Sequence, residues 1–480
     1  MLALFLGGAV ALALPPFPLG FALPFLLAPV FLKPRGFRFG FLFGLGFWSL
    51  HLAWLPASFS ARFGILGFLP GLLLTVLMAV FFGGLFAAFG RRPLALVGAW
   101  TLFEYLLAQL PWPFPWGYLG YASVEGGVRA WAGVVGVYGL GLLVRMAALA
   151  VARGAVVVGV AWALLWLLWP LPRFQPEARA LLVQAAVDPL IKAEGVPAAE
   201  RYLELTRQGL RKDPEVRLVV WPETAVTRLP PGIVGVLSGR PLVYGAWGPG
   251  PRNEVRLFVG GRDVAVYAKR KLVPFGEYFP GRGWLGPLYD AVFRGLGLPR
   301  LLDLVPGDRP APLGPYAALV CYEADFPDEV RRLARKAGLL VNVSNDGWFG
   351  AGFGRRQHLA MSRMRAVENG IWLLRAANDG ISAAIDPAGR VVVRSREGRA
   401  EVVLAPYALG SGGRTLYARL GELPVLGFAY LLTLLGILGS DSKNPSPPEG
   451  RDALVGSSEA AVRRRRIVVR ARPQAGRRPG

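Results

Sequence analysis

Cysteine is nearly absent from this chain, with one residue, Cys321, in 480. A single thiol excludes an intrachain disulfide. His51 and His358 are the only histidines, so no ligand set for a zinc cluster is available and no metal or other cofactor is expected. Acidic residues are few beside basic ones, 31 against 54, and the formal net charge is +23. Such an excess often marks a nucleic-acid partner. No nucleic-acid module is recognisable, however, and 53% of the residues are hydrophobic. No nucleic-acid partner is expected, and membrane topology accounts better for the charge. A glycine-rich phosphate loop and tight repeats are also missing.

Long apolar runs are what the chain has in quantity. Residues 1–171 are almost continuously apolar and read as a membrane domain of about seven spans, each near the roughly 20 residues a bilayer requires, the first two being short. They fall at 2–14, 19–32, 37–56, 64–88, 92–110, 127–150 and 154–171, and an eighth follows at 423–439, within 421–440. Basic residues test the count. Lys33, Arg35 and Arg38 follow the second span, Arg91 and Arg92 the fourth, and Arg153 the sixth. These turns share one side, so that side reads as cytoplasmic, both termini lie there, and residues 172–420 face the periplasm. The opening "MLALFLGGAVALA" lacks the basic start of a cleaved leader and reads as a span. Residues 441–480 are basic and rich in Pro, Ser and Gly, and read as a disordered cytoplasmic tail.

Residues 172–420 change character. Short β-rich runs such as "VRLVVWPET", "YAALVCYEADF", "GLLVNVSND" and "IWLLRAAND" alternate with helix-compatible stretches at 194–210, 325–337 and 355–369. That alternation predicts an α/β domain, and "IDPAGRVV" adds an antiparallel hairpin. Three polar residues stand at strand ends: Glu223, Lys269 and Cys321. Strand ends are where α/β folds gather reactive groups. The ammonium would favour thiolate and stabilise an oxyanion, while the carboxylate would take and return a proton. Glu277 and Glu323 are further carboxylates near them in sequence. On spacing alone the bland readings stand beside these: a core cysteine, a surface lysine and a helix-capping glutamate. Glu104, inside an apolar segment, reads either as functional or as paired within the bundle.

The motifs "VVWPETAV", "YAKRKLVPFGEYFP", "LVCYEADFP" and "LVNVSNDGWFG", with "PPFPLG", "LFEYLL" and "PWPFPWGYLGYA" before them, resemble the bacterial apolipoprotein N-acyltransferase family from residue 1 to about 439. The resemblance implies a multi-pass α-helical membrane domain fused to an α/β domain with the αββα sandwich of nitrilases, or carbon–nitrogen hydrolases. It implies Glu223, Lys269 and Cys321 as catalytic residues, Glu277, Tyr322 and Glu323 as their support, and Trp348 near the acyl-chain entrance. Asn345 and Asp346 would shape the same loop. The implied reaction is the last step of lipoprotein maturation in the inner membrane. Cys321 takes an acyl chain from the sn-1 position of a phospholipid, phosphatidylethanolamine foremost, as a thioester. It passes that chain to the α-amine of a diacylglyceryl-modified apolipoprotein, with no metal or nucleotide. The chain departs from the family at Lys271, where many members have histidine, and at "VQAAV". Neither departure touches the three catalytic candidates. A membrane-tethered amidase and a catalytically silent outer domain on a transporter or scaffold are the competing classes.

Overall fold

The computed structural model describes residues 1–187, 198–295, 303–350, 352–410 and 415–441. The putting together of this chain begins with apolar helices at Leu2–Ala11, Leu23–Phe31, Phe37–His51, Trp54–Phe63, Phe68–Phe89, Pro93–Leu107, Ala132–Ala152 and Val156–Leu168. Each expected span coincides with one of these or with a pair. Two helical stretches, Phe68–Phe89 and Gly127–Ala152, are long and apolar enough to cross a bilayer by themselves. The expected span 37–56 is broken instead: its helix ends at His51, and the next is bent from it by 51°. Leu2–Ala11 and Phe37–His51 pack through glycine. A Cβ at Gly7 would run into the carbonyl of Phe43, and one at Gly46 into that of Leu4. The last helix, Leu423–Asp441, packs on Pro93–Leu107, where a Cβ at Gly98 or Gly436 would strike the facing helix. Beyond residue 441 the anticipated tail lies outside the described residues.

Among the described residues the second domain has eleven strands. Those of the first sheet are β1 (Ala178–Gln184), β2 (Leu218–Val220), β3 (Leu242–Trp247), β4 (Asn253–Val259), β5 (Arg262–Ala268) and β11 (Glu401–Tyr407). They form one six-stranded sheet in the order β11-β1-β2-β3-β4-β5. The other five are β6 (Tyr316–Val320), β7 (Leu339–Ser344), β8 (Leu373–Ala377), β9 (Ala383–Ile385) and β10 (Val391–Arg394). They make a second sheet in the order β10-β9-β8-β7-β6. In each sheet three adjacent strands run parallel, β1-β2-β3 and β6-β7-β8, with antiparallel strands on both sides of the first set and on the β8 side of the second. The anticipated hairpin is present as β9 and β10.

Side-chain alternation explains the layers. Along β1, Ala180 and Leu182 point into the core shared with the second sheet, alongside Leu319, Val341 and Leu374. Leu181 and Val183 point the other way, onto Tyr202 and Leu203 of the helix Ala198–Lys212. The second sheet is covered by helices Pro327–Ala334 and Phe353–Asn369, which bring Val330, Leu333, Leu359 and Ala366 against it. The result is the expected α–β–β–α order. Two boundaries differ from expectation. The helix anticipated at 325–337 begins only at Pro327, because Cys321–Asp325 forms a tight 3-10 turn. The one anticipated at 194–210 covers Ala198–Lys212, its first residues lying outside the described ones. The helix expected at 355–369 is present as Phe353–Asn369, and most of it is buried despite its polar sequence. Its Ala360, Met361, Met364 and Val367 join the core of the helical bundle. This helix is the seam between the two domains.

Candidate active site

The C-terminal ends of β2, β6, β7 and β8 meet at one place, where parallel strands leave their terminal loops free to carry side chains. Glu223 lies three residues past β2, Lys269 directly follows β5, and Cys321 directly follows β6. Glu223 can occupy its place because Gly245 of β3 passes close by. A Cβ there would sit 2.6 Å from the Cα of Glu223. Thr224, Phe275 and Cys321 all adopt left-handed backbone, with φ of 48°, 61° and 49°. Each such non-glycine residue costs roughly 1–3 kcal/mol, and they cluster where function demands a particular geometry. Here they flank or form the positions of Glu223, Glu277 and Cys321.

The structure brings the expected residues together. Lys269 is 1% exposed, and its Nζ lies 2.7 Å from Glu277 Oε1 and 3.4 Å from Glu223 Oε1. Burial alone would lower its pKa, but Glu277 and Glu223 reverse this and hold the ammonium above the usual lysine range. Glu223 is held at both oxygens: Asn253 Nδ2 donates to Oε1 at 2.8 Å and Asn345 N to Oε2 at 2.8 Å. Asn253 also accepts from the Lys269 backbone N–H at 2.8 Å, so one asparagine sets the spacing of base and ammonium. Glu277 is fixed by the Val273 N–H at 2.8 Å.

Cys321 is part-buried. Burial and then Glu223 push its thiol well above the ordinary value, and Lys269 only partly opposes them. Lys269 acts in the expected direction, toward thiolate, but desolvation and Glu223 outweigh it and the net shift is upward, so attack by this thiol calls for a base. Glu323 is wholly buried and accepts from Tyr267 Oη, Arg270 N, Val320 N and, at 3.3 Å, Lys271 N. It stitches the strand that carries the lysine to the turn that carries the thiol. Burial pushes its carboxyl up to about 7 against those donors. Among the described residues no three His, Cys, Asp or Glu side chains gather into a metal-binding set.

The bundle closes one side of this place. Tyr322 Oη donates to Pro113 O at 2.8 Å, and Tyr278 Oη to Pro111 O at 2.6 Å. Trp348 is half exposed, and its carbonyl accepts from Ser58 Oγ at 2.5 Å. Its neighbour Phe349, which sequence reasoning passed over, packs against Trp54 and Trp116 at ring-centroid distances of 5.0 and 5.9 Å. Gln357 was missed as well. Its Oε1 accepts from Trp54 Nε1 and Trp116 Nε1 at 3.0 and 2.9 Å, and its Nε2 donates to His51 O at 3.0 Å. No local pattern marks Gln357, whose partners lie about 240 residues or more away in sequence. Away from the site, Glu104 is paired within the bundle: Arg145 donates to both of its oxygens at 2.9 and 3.0 Å.

Comparison with known proteins agrees with this two-part construction. The family model described as Apolipoprotein N-acyltransferase N-terminal domain matches residues 6–150, and the Carbon-nitrogen hydrolase model matches residues 251–416. The apolipoprotein N-acyltransferase of Azotobacter vinelandii is 30% identical, over 93% of this chain and 96% of its own. Those of Methylococcus capsulatus and Pseudomonas syringae are each 31% identical, covering 94% and 82% of this chain and 98% and 88% of theirs. A helical membrane domain, a carbon–nitrogen hydrolase sandwich and near-complete overlap with these relatives lead to one assignment: the chain belongs to the apolipoprotein N-acyltransferase family of acyltransferases.

Proposed function

We propose that this acyltransferase moves an acyl chain from the sn-1 position of a phospholipid, phosphatidylethanolamine foremost, to the N-terminal α-amine of a diacylglyceryl-modified apolipoprotein. The observation that carries this reading is a part-buried thiol on a left-handed turn, with Glu223 and Lys269 acting on it, at the seam with an apolar helical bundle.

In the first half-reaction Glu223 takes the Cys321 proton as Sγ attacks the ester carbonyl. Lys269, kept cationic by Glu277, faces the developing oxyanion together with the Tyr322 backbone N–H. The tetrahedral intermediate collapses to a thioester, and Glu223 returns the proton to the departing lysophospholipid oxygen. In the second half-reaction the α-amine attacks the thioester, an amide forms and the thiol is regenerated. An α-amine with a reference pKa near ~8 is partly neutral at physiological pH, so a neutral carboxylate-assisted attack is open to it. Glu323 and Tyr322 hold the thiol's turn, and Trp348 stands at the acyl-chain entrance. Exposed Phe275, Trp284 and Leu288, in the segment of chain that follows Lys269, suit contact with lipid.

In this reading residues 1–171 form about seven spans and 421–440 one more. Residues 172–420 face the periplasm from the inner membrane, and both termini are cytoplasmic. Basic turns at Lys33–Arg38, Arg91–Arg92 and Arg153 support that orientation.

The test is incubation of the purified protein with labelled phospholipid and no acceptor. Intact mass should show a hydroxylamine-sensitive acyl adduct that is absent in Cys321→Ala and is discharged into N-acyl product by a diacylglyceryl-cysteine peptide. A folded protein that forms no adduct sinks the reading. Discharge to free fatty acid with the peptide left unmodified would favour a hydrolase instead.

A further inference from the structure

His358 is wholly buried, and the acyl-transfer steps above leave it without a task. Its Nε2 lies 3.1 Å from the carbonyl oxygen of Cys321. Its Nδ1 lies 3.2 Å from Asp346 Oδ1 and 3.0 Å from Arg375 Nη2. Arg375 in turn donates to both oxygens of Asp346 at 2.7 and 2.8 Å. A carbonyl only accepts, so Nε2 carries the hydrogen. A neutral ring then accepts from Arg375 at Nδ1, and a charged ring donates to Asp346 there; the donor at Nε2 is present in both forms.

That donor acts on the one carbonyl that matters most for the nucleophile. Cys321 has φ of 49° and opens the tight 3-10 turn Cys321–Asp325, so its left-handed backbone sets how that turn begins. Asn342 Nδ2 reaches the same oxygen at 3.4 Å. In a trans peptide the carbonyl of one residue and the N–H of the next point in opposite directions. Fixing the Cys321 oxygen therefore aims the Tyr322 N–H away from His358. The ring is itself held from two sides. Asp346 and Arg375 grip Nδ1, and the adjacent Gln357 is tied to Trp54, Trp116 and His51 of the bundle.

We propose that His358 is a positioning residue for the acyl transfer: its Nε2–H holds the Cys321 carbonyl, keeps the nucleophile turn left-handed and directs the Tyr322 N–H to the site where the oxyanion forms. This deepens the acyl-carrier reading of Cys321 and rests on it.

The experiment uses the full chain in phospholipid nanodiscs and compares His358→Ala with His358→Gln, whose amide nitrogen keeps a donor near the Nε2 position. His358→Ala should slow Cys321 acylation at saturating phospholipid by about 100-fold, the scale of a catalytic group displaced by about 1 Å, with half-saturation unchanged. His358→Gln should recover most of that rate. Wild-type rates in His358→Ala, or equal losses in both variants, overturn the proposal, the latter pointing to a purely structural histidine. If the wild-type protein forms no adduct, the acyl-carrier reading fails separately, and alkylation of the single cysteine by iodoacetamide still decides the positioning. Glu223, Lys269 and Asp346, the charged groups acting on the thiol, are unchanged in both variants. A loosened turn in His358→Ala should lower the pH midpoint of alkylation, while His358→Gln keeps it high. The same midpoint in His358→Ala and wild type overturns the proposal.

Discussion

In the helical bundle Glu104 meets Arg145, one carboxylate for one guanidinium, with Thr101 Oγ1 and the Leu119 N–H completing the set. At the sheet ends Lys269 meets two carboxylates, and a third, Asp325, lies buried with no hydrogen-bond partner among the described residues. Both regions bury charge, where each unpaired ion costs several kcal/mol. The bundle balances its charges and uses them as a clamp between Pro93–Leu107, Ala132–Ala152 and the loop that follows Pro111. The α/β domain leaves its charges unequal, strains the backbone beside them and pushes a thiol above its ordinary pKa by burial. Balance marks a joint in the architecture, and imbalance held in place by hydrogen bonds marks chemistry.

The comparison breaks if the two kinds of site respond alike to mutation. Glu223→Gln keeps the shape and removes the proposed base, so acyl transfer should fall about 10²–10⁴-fold while the melting temperature hardly moves. Steady-state transfer to a diacylglyceryl-cysteine peptide and thermal melting in detergent measure the two arms. Glu104→Ala should do the reverse. It leaves Arg145 buried and unpaired, which costs about 3–5 kcal/mol, while activity per folded molecule stays near wild type. A Glu104→Ala protein that melts normally would remove the bundle's half of the contrast.

The smallest expected effect concerns Asp325, whose carboxyl burial pushes up to about 7 from 3.8. The folded state then holds a proton that the unfolded chain releases, so this group's contribution to stability falls as pH rises from about 4 to about 7 and is level above that. Fully expressed, the difference corresponds to up to about 4 kcal/mol. Glu323 and Glu368, also pushed to about 7 by burial, slope the same way. Asp325→Asn should make the melting temperature less dependent on pH between 5 and 8 without flattening it. An unchanged slope would show that Asp325 carries no such proton.

Much of the fold was legible in the sequence, because apolar runs and β-rich runs are local signals. Apolar helices at the eight expected segments, the hairpin at β9–β10 and the strands ending before Glu223, Lys269 and Cys321 all appear close to where the residues put them, though two helical stretches among the described residues are long enough to cross a bilayer by themselves. The errors have local physical causes. A kink after His51 splits one span, and the tight turn Cys321–Asp325 delays the following helix to Pro327. The burial of helix Phe353–Asn369 was not legible. Arg355, Gln357, His358, Arg363 and Arg365 are buried with partners from the bundle and the loops, while Arg356 stays exposed.

The sequence by itself determined that the chain is helical and apolar first and α/β afterwards, and that one thiol follows a buried strand. It also carried the motifs that give Glu223, Lys269 and Cys321 their place in a known family. Only the tertiary structure decided that Asn253 spaces Glu223 from Lys269, that Phe349 packs against Trp54 and Trp116 of the bundle, and that His358 grips the Cys321 carbonyl. The thiol's protonation was decided there too. Desolvation and a neighbouring carboxylate act through space, and no spacing along the chain encodes how deeply a residue is buried or which distant charges surround it.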